Sequence, residues 1–353
     1  MRSSAIVFSE GKVMTQPYLN IEIIQKQYSK KNVLQDINIQ IEKGEVIAIM
    51  GPSGGGKTTL ARCLAGFESF EGKVVLDNKD ISKLQPKDRS IGIVPQDGAL
   101  FPHLNVFENV AYGIKSRTKK NERVHELLTM VHLEDLDVSL SKRIDQLSGG
   151  QQQRVAVARS LGGDPKVIIL DESFSALDQW LRISVRREIL KGLKAVNATV
   201  IVITHDVSEA FELADRVAVL EAGHLVQFDT VTNLYTKPDS LSVAQLVGNA
   251  NIISYNESQM GNDFIDRTVS GSAKRVLMVR PENVTLTNNQ NSENPQLKAT
   301  ISDIRNTGPL KHYYMVLADT NEEIIGLDSS FSNVNVGDVV SINISKESII
   351  YSC

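Results

Sequence analysis

The residues best suited to chemistry form a glycine-rich segment directly after an apolar run. The run is Val46–Met50, and residues 51–58, the phosphate loop, then read Gly-Pro-Ser-Gly-Gly-Gly-Lys-Thr. Glycines at this spacing let several backbone N–H groups point into one concavity, which suits nucleotide phosphates. Lys57 can reach the β- and γ-phosphates, and the Thr58 hydroxyl can ligate magnesium. The sequence therefore predicts a strand, a phosphate-binding loop and a helix that begins near Lys57 with its positive end toward the ligand.

Two carboxylates after another apolar run are the second candidate. Residues 167–170 are continuously apolar, as in a strand covered on both faces, and they lead into Asp171 and Glu172. Asp171 would hold magnesium, directly or through a water, while Glu172 would polarise the water that attacks the γ-phosphate. A phosphate loop alone leaves kinases, GTPases, helicases and transport motors open, so the remaining motifs must decide.

The segment that discriminates between these classes is residues 147–154, the signature segment. It reads Leu-Ser-Gly-Gly-Gln-Gln-Gln-Arg and lies about twenty residues before Asp171. Its Ser-Gly-Gly opens a helical pattern, so it offers a second set of exposed N–H groups and a hydroxyl to an anion.

Together these motifs resemble the ATP-binding-cassette (ABC) ATPases. The resemblance implies a nucleotide-binding domain that hydrolyses ATP with Mg²⁺ and works as a pair of cassettes, here a homodimer. The matching segments occur in the family's order across about residues 18–240, and they are 51–58, Gln96 within 94–97, 147–154, 171–172, 175–178 and 204–206.

The resemblance also assigns roles to single residues. Tyr28 would stack on adenine, and Glu172, His205 and Gln96 would form the catalytic set. Thr58, Gln96 and Asp171 would hold magnesium. Ser148 and Gly150 would complete the site of the opposite subunit, and Asp178 would lie where two cassettes meet. The residues expected to contact the nucleotide are Tyr28, Gly51, Pro52, Ser53, Gly54, Gly55, Gly56, Lys57, Thr58, Thr59, Ser148, Gly149, Gly150, Gln151 and Asp178.

The pattern along the chain predicts an α/β fold for the cassette. Short alternating stretches at 21–23 and 36–41 predict half-buried antiparallel strands. The apolar runs 167–170 and 199–204 predict parallel strands covered on both faces. Between 105 and 159 apolar residues recur at helical spacing, which predicts an inserted helical subdomain. We therefore expect a P-loop ABC ATPase domain with antiparallel β and helical subdomains.

The length of 353 residues suggests more than one domain. We expect an N-terminal extension over 1–13, a nucleotide-binding domain over 14–240 with its helical subdomain at about 97–160, and a β-rich domain over 241–353. Met14 is an alternative start to Met1. The last domain resembles the small β-barrel (OB-like, TOBE) regulatory domain that follows import ATPases, and residues 279–282 are similar to its Arg-Pro-Glu turn.

Composition limits the classes of protein. A content of 41% hydrophobic and 23% charged residues is typical of a globular chain, and a net charge of −4 disfavours a polyanion-binding surface. We expect no nucleic-acid partner. No apolar run reaches the roughly 18 to 20 residues of a membrane helix, and the N-terminus lacks a secretory pattern. Two cysteines are too few for a disulfide framework or a zinc site.

The appended β domain favours an importer, whose ATPase would be a peripheral protein on the cytoplasmic face of the inner membrane. Its partners would be integral membrane permease subunits and, indirectly, an external substrate-binding protein. Residues 96–104 most resemble the ferric-iron group, although the same subunit could energise uptake of a sugar, a polyamine, sulfate or another small solute. A soluble ABC ATPase without transport is the other class left open. His103 has no neighbouring metal-ligating cluster, so we expect it on the surface that receives the permease.

Two positions depart from the family pattern. Ser173 stands where proline usually follows the catalytic glutamate, and Gly55 stands where serine or cysteine is common. We expect these departures to affect loop rigidity and rate rather than to disable the site.

Overall fold

A computed structural model describes most of the chain as two compact units, residues 1–231 and 232–353. The boundary thus precedes the expected one near residue 240. Within the part of the chain that the model describes, no helix combines the length and the apolar character that a membrane crossing requires. The described residues are 16–116, 118–133, 140–173, 179–255, 275–287, 297–308, 310–328, 334–344 and 349–352.

The first unit contains ten of the described strands and six of the described helices. The strands are β1 Leu19–Tyr28, β2 Lys31–Ile41, β3 Val46–Met50, β4 Glu71–Leu76, β5 Lys79–Asp80, β6 Ile91–Val94, β7 Val167–Asp171, β8 Thr199–Ile203, β9 Arg216–Glu221 and β10 His224–Thr230. The helices are α1 Lys57–Ala65, α2 Val106–Ala111, α3 Lys120–Met130, α4 Gly149–Leu161, α5 Gln179–Ala195 and α6 Val207–Leu213.

A six-stranded sheet of order β10-β9-β3-β8-β7-β6 forms the centre of this unit. Its strands pair in parallel, except that β10 joins β9 antiparallel. Every residue of β3, β7 and β8 is buried, as expected for strands covered on both faces. The predicted α/β core is therefore confirmed. Because parallel strands end at one edge, the loops that follow β3, β6, β7 and β8 must lie side by side.

A second sheet, of order β2-β1-β4-β5, is antiparallel. The predicted alternation is confirmed, since Ile21 pairs with Ile39 and Ile23 with Ile37 on the buried face. In this sheet β4 pairs antiparallel with β1.

The inserted helical subdomain is confirmed as α2, α3 and α4. Among the apolar residues at helical spacing, Val124, Leu127 and Leu128 are buried in α3 and share a core cluster with residues of α2 and α4. Helix α4 begins at Gly149, as the Ser-Gly-Gly pattern predicts. Ser148 caps it, because its hydroxyl accepts a hydrogen bond from the Gln151 N–H at 3.3 Å while the Gln151 side chain accepts one from the Ser148 N–H at 3.0 Å.

The loop after β6 is fixed by two polar side chains of this subdomain. The fully buried Asn109 of α2 donates to the carbonyls of Phe101, Leu104 and Asn105, and its amide oxygen accepts from the Phe101 N–H. Arg159 of α4 donates to the carbonyls of Gly98 and Ala99. The chain beyond Gln96 therefore has a defined path over the helices, because its backbone groups are satisfied by side chains instead of by a strand partner.

The second unit consists mainly of antiparallel β structure, which confirms the expected barrel-like domain. Its elements, of which α7 begins one residue before the unit, are α7 Val231–Thr236, α8 Leu241–Leu246, β11 Asn251–Tyr255, β12 Arg275–Val279, β13 Val284–Thr287, β14 Leu297–Asn306, β15 Lys311–Leu317, β16 Glu323–Asp328, β17 Val339–Ile344 and β18 Ile349–Ser352. One sheet has the order β13-β17-β14-β15-β16, and its edge strands β13 and β16 also lie against each other, so the sheet curls toward closure. A three-stranded sheet has the order β11-β12-β18.

Arg280, the arginine of the Arg-Pro-Glu turn, joins the two helices of this unit to the β structure. Its guanidinium is only 4% exposed and donates to the carbonyls of Tyr235, Ala244, Gly248 and Asn249. The guanidinium carbon of Arg280 also lies 4.2 Å from the centre of the Tyr235 ring. The Tyr235 hydroxyl donates to Glu282 at 2.6 Å, and burial together with this carboxylate raises the pKa of Tyr235 to about 12.

We predict that Arg280→Met loosens the second unit, because several buried carbonyls lose a charged donor at once. The free energy of local opening should fall by about 3 kcal/mol. Hydrogen exchange read by mass spectrometry over 275–287 and 297–328 measures this. Arg305→Met is the matched control, since Arg305 is 65% exposed and pairs with Asp303 on the surface, and it should change the opening energy by less than about 0.5 kcal/mol. Equal effects of the two substitutions would contradict the role of Arg280.

Candidate functional site

The phosphate loop follows β3 directly, and glycines at its tightest positions allow its path. Gly51 has φ 149°, and a Cβ there would lie 1.9 Å from the carbonyl oxygen of Leu220 in β9. Gly56, which precedes α1, has φ 101°. These positions permit a tight loop pressed against the neighbouring strand. At Gly55 a Cβ would lie 2.9 Å from the same Leu220 oxygen, so the loop passes too close to β9 for a side chain without a shift.

Lys57 lies over this loop with its ammonium group largely buried. It donates to the Gly51 carbonyl at 2.8 Å and to the Pro52 carbonyl at 3.0 Å. Burial lowers the pKa of Lys57, and the nearby carboxylates of Glu172 and Asp171 act in the opposite direction. The loop therefore presents a cation beside the two carboxylates that the sequence analysis paired with it.

Asp171 is the last residue of β7 and is 8% exposed. Burial and the neighbouring Glu172 raise its pKa, against which a hydrogen bond from the Thr58 hydroxyl and the charge of Lys57 lower it. Its Oδ1 atom is buried and has no hydrogen-bond partner among the described residues. A buried carboxylate oxygen without a partner is costly, so this atom is placed where a cation would satisfy it.

Glu172 turns away from the strand with its backbone in the left-handed region, at φ 46°. Its N–H donates to the Ile203 carbonyl of β8 at 3.0 Å. The Glu172 Oε1 atom lies 3.4 Å from Nδ1 of His205, whose ring is mostly exposed. The structure thus brings the predicted base and the predicted histidine together at the open edge of the sheet.

The loop that carries His205 is held from below by a polar network that sequence reasoning did not find. The Thr204 hydroxyl donates to the buried Glu209 of α6 and accepts from the Asp206 N–H. Arg186 of α5 is buried beside Glu209 at 3.8 Å and pairs with Glu212 at 2.9 Å. The signal in the sequence would be charged residues at core-facing positions of two consecutive helices, but their spacing alone does not distinguish them from surface ion pairs.

Gln96 lies just beyond β6 at the same sheet edge and is exposed. Tyr28 ends β1 and is 41% exposed, so one part of its ring is accessible. The Lys26 ammonium lies 4.4 Å from the Tyr28 ring centre and 2.9 Å from Glu68, which also interacts with the Tyr28 hydroxyl. Sequence patterns do not reveal the pairing of Lys26 with Glu68, because 42 positions of sequence separate the two residues.

The signature segment is exposed at Ser148 and Gly149, whereas Gly150 is buried. Within the described chain, no hydrogen bond joins residues 148–151 to the phosphate loop, and the side chains of Ser148 and Gln151 cap their own helix. Asp178, with the rest of 175–178, lies outside the described residues. One chain therefore brings together the loop, Asp171, Glu172 and His205, but not the signature segment.

Models of known families match two parts of the chain. The ABC transporter model matches residues 34–175, which include the phosphate loop, the signature segment and both carboxylates. The TOBE domain model matches residues 277–351. The resemblance and the β-barrel domain inferred from sequence motifs are confirmed.

Curated relatives extend over most of the chain. The Fe(3+) ions import ATP-binding protein of Haemophilus influenzae is 34% identical and covers 97% of this chain and 99% of its own length. The corresponding protein of Pectobacterium atrosepticum is 35% identical, over 95% of this chain and 99% of its own. The spermidine/putrescine import ATP-binding protein of Mannheimia succiniciproducens is 36% identical, over 84% of this chain and 83% of its own.

Solved structures share the cassette. A dimeric ATP-binding cassette in a post-hydrolysis state with ADP and phosphate is 32% identical and covers 60% of this chain and 98% of its own, with a TM-score of 0.53. The structure of cbiO1 from Clostridium perfringens, part of the ABC transporter complex cbiONQ, is 30% identical over 63% of this chain and 92% of its own, with a TM-score of 0.57. Together with the near full-length relatives and the assembled site, these similarities show that the chain belongs to the ABC transporter family as an ATP-binding, ATP-hydrolysing protein.

Proposed function

We propose that this protein is the ATP-hydrolysing subunit of an ABC importer for ferric iron, acting as a homodimer on permease subunits at the cytoplasmic face of the inner membrane. The observation that carries the proposal is the extent of the iron-import relatives, which match 95% and 97% of the chain, through both cassette and β domain. An external binding protein and the permease would choose the cargo, and this subunit would supply the motion.

Phosphate binding follows from the loop. Backbone N–H groups of 51–58 and the start of α1 would surround the β- and γ-phosphates, and Lys57 would exchange its carbonyl partners for phosphate oxygens. Tyr28 would stack on the adenine from the end of β1. These contacts bind the nucleotide but do not by themselves cleave it.

A magnesium ion fits the residues present. The buried Asp171 Oδ1 atom lacks a partner, and the Thr58 hydroxyl interacts with the same carboxylate. Magnesium takes few protein ligands and completes its shell with phosphate oxygens and water, so Thr58, Asp171 and Gln96 would suffice. When bound, the ion would neutralise charge on the phosphates.

Hydrolysis needs a base and an orienting group near the γ-phosphate. Glu172 would accept a hydrogen bond from the attacking water and draw its proton away, and His205 at 3.4 Å would hold the carboxylate and contact the phosphate. Gln96 would contact the same water from the adjacent loop. Ser148, Gly149, Gly150 and Gln151 of a second copy, with Asp178 at the dimer contact, would close the site.

We predict that Asp171→Asn stabilises the protein without nucleotide or magnesium by about 1 kcal/mol, because it removes a buried charge. Since the folded state raises the pKa of Asp171, wild-type stability declines as pH rises through that pKa, and the advantage of Asn grows with it. Urea unfolding at several pH values with a chelator, followed by Trp180 fluorescence, measures this. Asp145→Asn, at an exposed carboxylate, is the control. A destabilised Asn variant at every pH would contradict the prediction.

We predict that Glu172→Gln keeps ATP binding but lowers turnover by roughly two to four orders of magnitude, the range for loss of a general base. The variant should accumulate a closed dimer with ATP, which light scattering detects. Glu22→Gln, an exposed carboxylate on β1, should leave both properties unchanged. Unchanged hydrolysis by Glu172→Gln would mean that another residue positions the water.

A polyamine is the second candidate cargo, because the spermidine/putrescine import relative is 36% identical over 84% of the chain. Uptake of radiolabelled ferric iron and of radiolabelled spermidine, measured in a strain that lacks the gene, distinguishes the two cargoes. Iron uptake should be lost, restored by the wild-type gene and not restored by Glu172→Gln. Loss of spermidine uptake alone would favour the polyamine importer, and failure to co-purify any multi-span membrane protein would count against import altogether.

A further inference from the structure

Ser173 holds a place in the site that its sequence position does not explain. It follows the proposed base directly and stands where relatives of this family usually have proline. The side chain is 2% exposed, and its hydroxyl donates a hydrogen bond of 2.8 Å to the backbone carbonyl of Val94. Proline has no hydroxyl and could not make this contact.

The accepting carbonyl lies at a sensitive point of the sheet. Val94 is the last residue of β6, and β6 is an edge strand that, among the described strands, pairs with β7 only. The paired register ends at Val94 opposite Leu170. Ser173 therefore adds one side-chain link beyond the end of the ladder, and this link restrains the strand from which Gln96 emerges two residues later.

Glu172, the residue before Ser173, makes its backbone hydrogen bond to the strand on the other side of β7. The Glu172 N–H donates to Ile203 of β8, two residues before His205. Glu172 itself has φ 46°, a conformation that a non-glycine residue keeps only when its surroundings hold it. The turn at 172–173 is thus held between the strand that leads to Gln96 and the strand that leads to His205.

We propose that Ser173 is a positioning residue for hydrolysis: its hydroxyl fixes the Glu172 carboxylate relative to Gln96 by tying the turn after β7 to the end of β6. The inference rests on the proposed role of Glu172 as the base. Ser173 touches neither nucleotide nor water in this scheme. Its loss therefore alters the alignment of the base and leaves the binding of ATP at the phosphate loop unchanged.

The test measures steady-state ATP hydrolysis by the full-length protein and nucleotide affinity by equilibrium binding. Ser173→Ala should lower kcat about tenfold while KM and ATP affinity stay within about twofold. Ser173→Thr keeps the hydroxyl and should retain kcat within about threefold. Ser160→Ala is the matched control, because the Ser160 hydroxyl also donates to a backbone carbonyl, Val157 at 2.7 Å, but within α4; its kcat should not change.

A double substitution tests the path through β6. If Ser173 acts by holding the Gln96 strand, Gln96→Ala with Ser173→Ala should be no slower than Gln96→Ala alone within about twofold. Full multiplication of the two losses overturns the coupling to Gln96. A wild-type kcat in Ser173→Ala, or a loss in Ser173→Thr as large as in Ser173→Ala, overturns the role of the hydroxyl.

Glu172→Gln, measured in the same assays, distinguishes failure of the proposed base from failure of the positioning role of Ser173. If Glu172→Gln hydrolyses ATP at the wild-type rate, the proposed base is wrong and the inference falls with it. If Glu172→Gln is inactive while Ser173→Ala is unchanged, the base stands and only the positioning role of Ser173 is overturned.

Discussion

The parallel pairing of β3, β8, β7 and β6 is the constraint on which the rest of the structure depends. Neighbouring strands of a sheet lie close to 5 Å apart, so loops that leave the same edge must be within side-chain reach of one another. The phosphate loop, the turn at Glu172, His205 and Gln96 leave these four strands at that edge. The strands pair because they are apolar on both faces, and the site is a consequence of that pairing.

The charged side chains at this edge of the sheet suit a bound ligand better than they suit the protein alone. Burial disfavours the charged forms of Lys57 and Asp171, and the nearby charges change the pKa of both groups: Asp171 and Glu172 act on Lys57, and Lys57 and Glu172 act on Asp171. An apolar site would be more stable. Phosphates and a divalent cation would supply counter-charges that the chain itself does not provide. Nucleotide binding would therefore stabilise this edge of the sheet.

The elements around the site serve to hold backbone that has no strand partner. Asn109 and Arg159 satisfy carbonyls after β6, and Thr204 with Glu209 fixes the loop of His205. In the second unit Arg280 does the same for the ends of two short helices. In each case a polar side chain makes a hydrogen bond in a segment that has no strand partner, because unpaired buried polar groups are costly. Around the site, these contacts define the paths of the loops.

Sequence alone determined the ligand class, the α/β core, the helix that begins after Ser148 and the β-rich second domain. These follow from local patterns: glycine spacing, apolar periodicity and motifs a few residues long. Contacts between distant positions were decided only by tertiary structure. Lys26 contacts Glu68, Arg186 contacts Glu209, and Ser173 contacts Val94. These residues are too far apart in sequence for a periodic pattern to predict their contacts. The departure at Ser173 was visible in the sequence, but its meaning depends on which strand lies beside β7, and sheet order is fixed by packing of the whole chain.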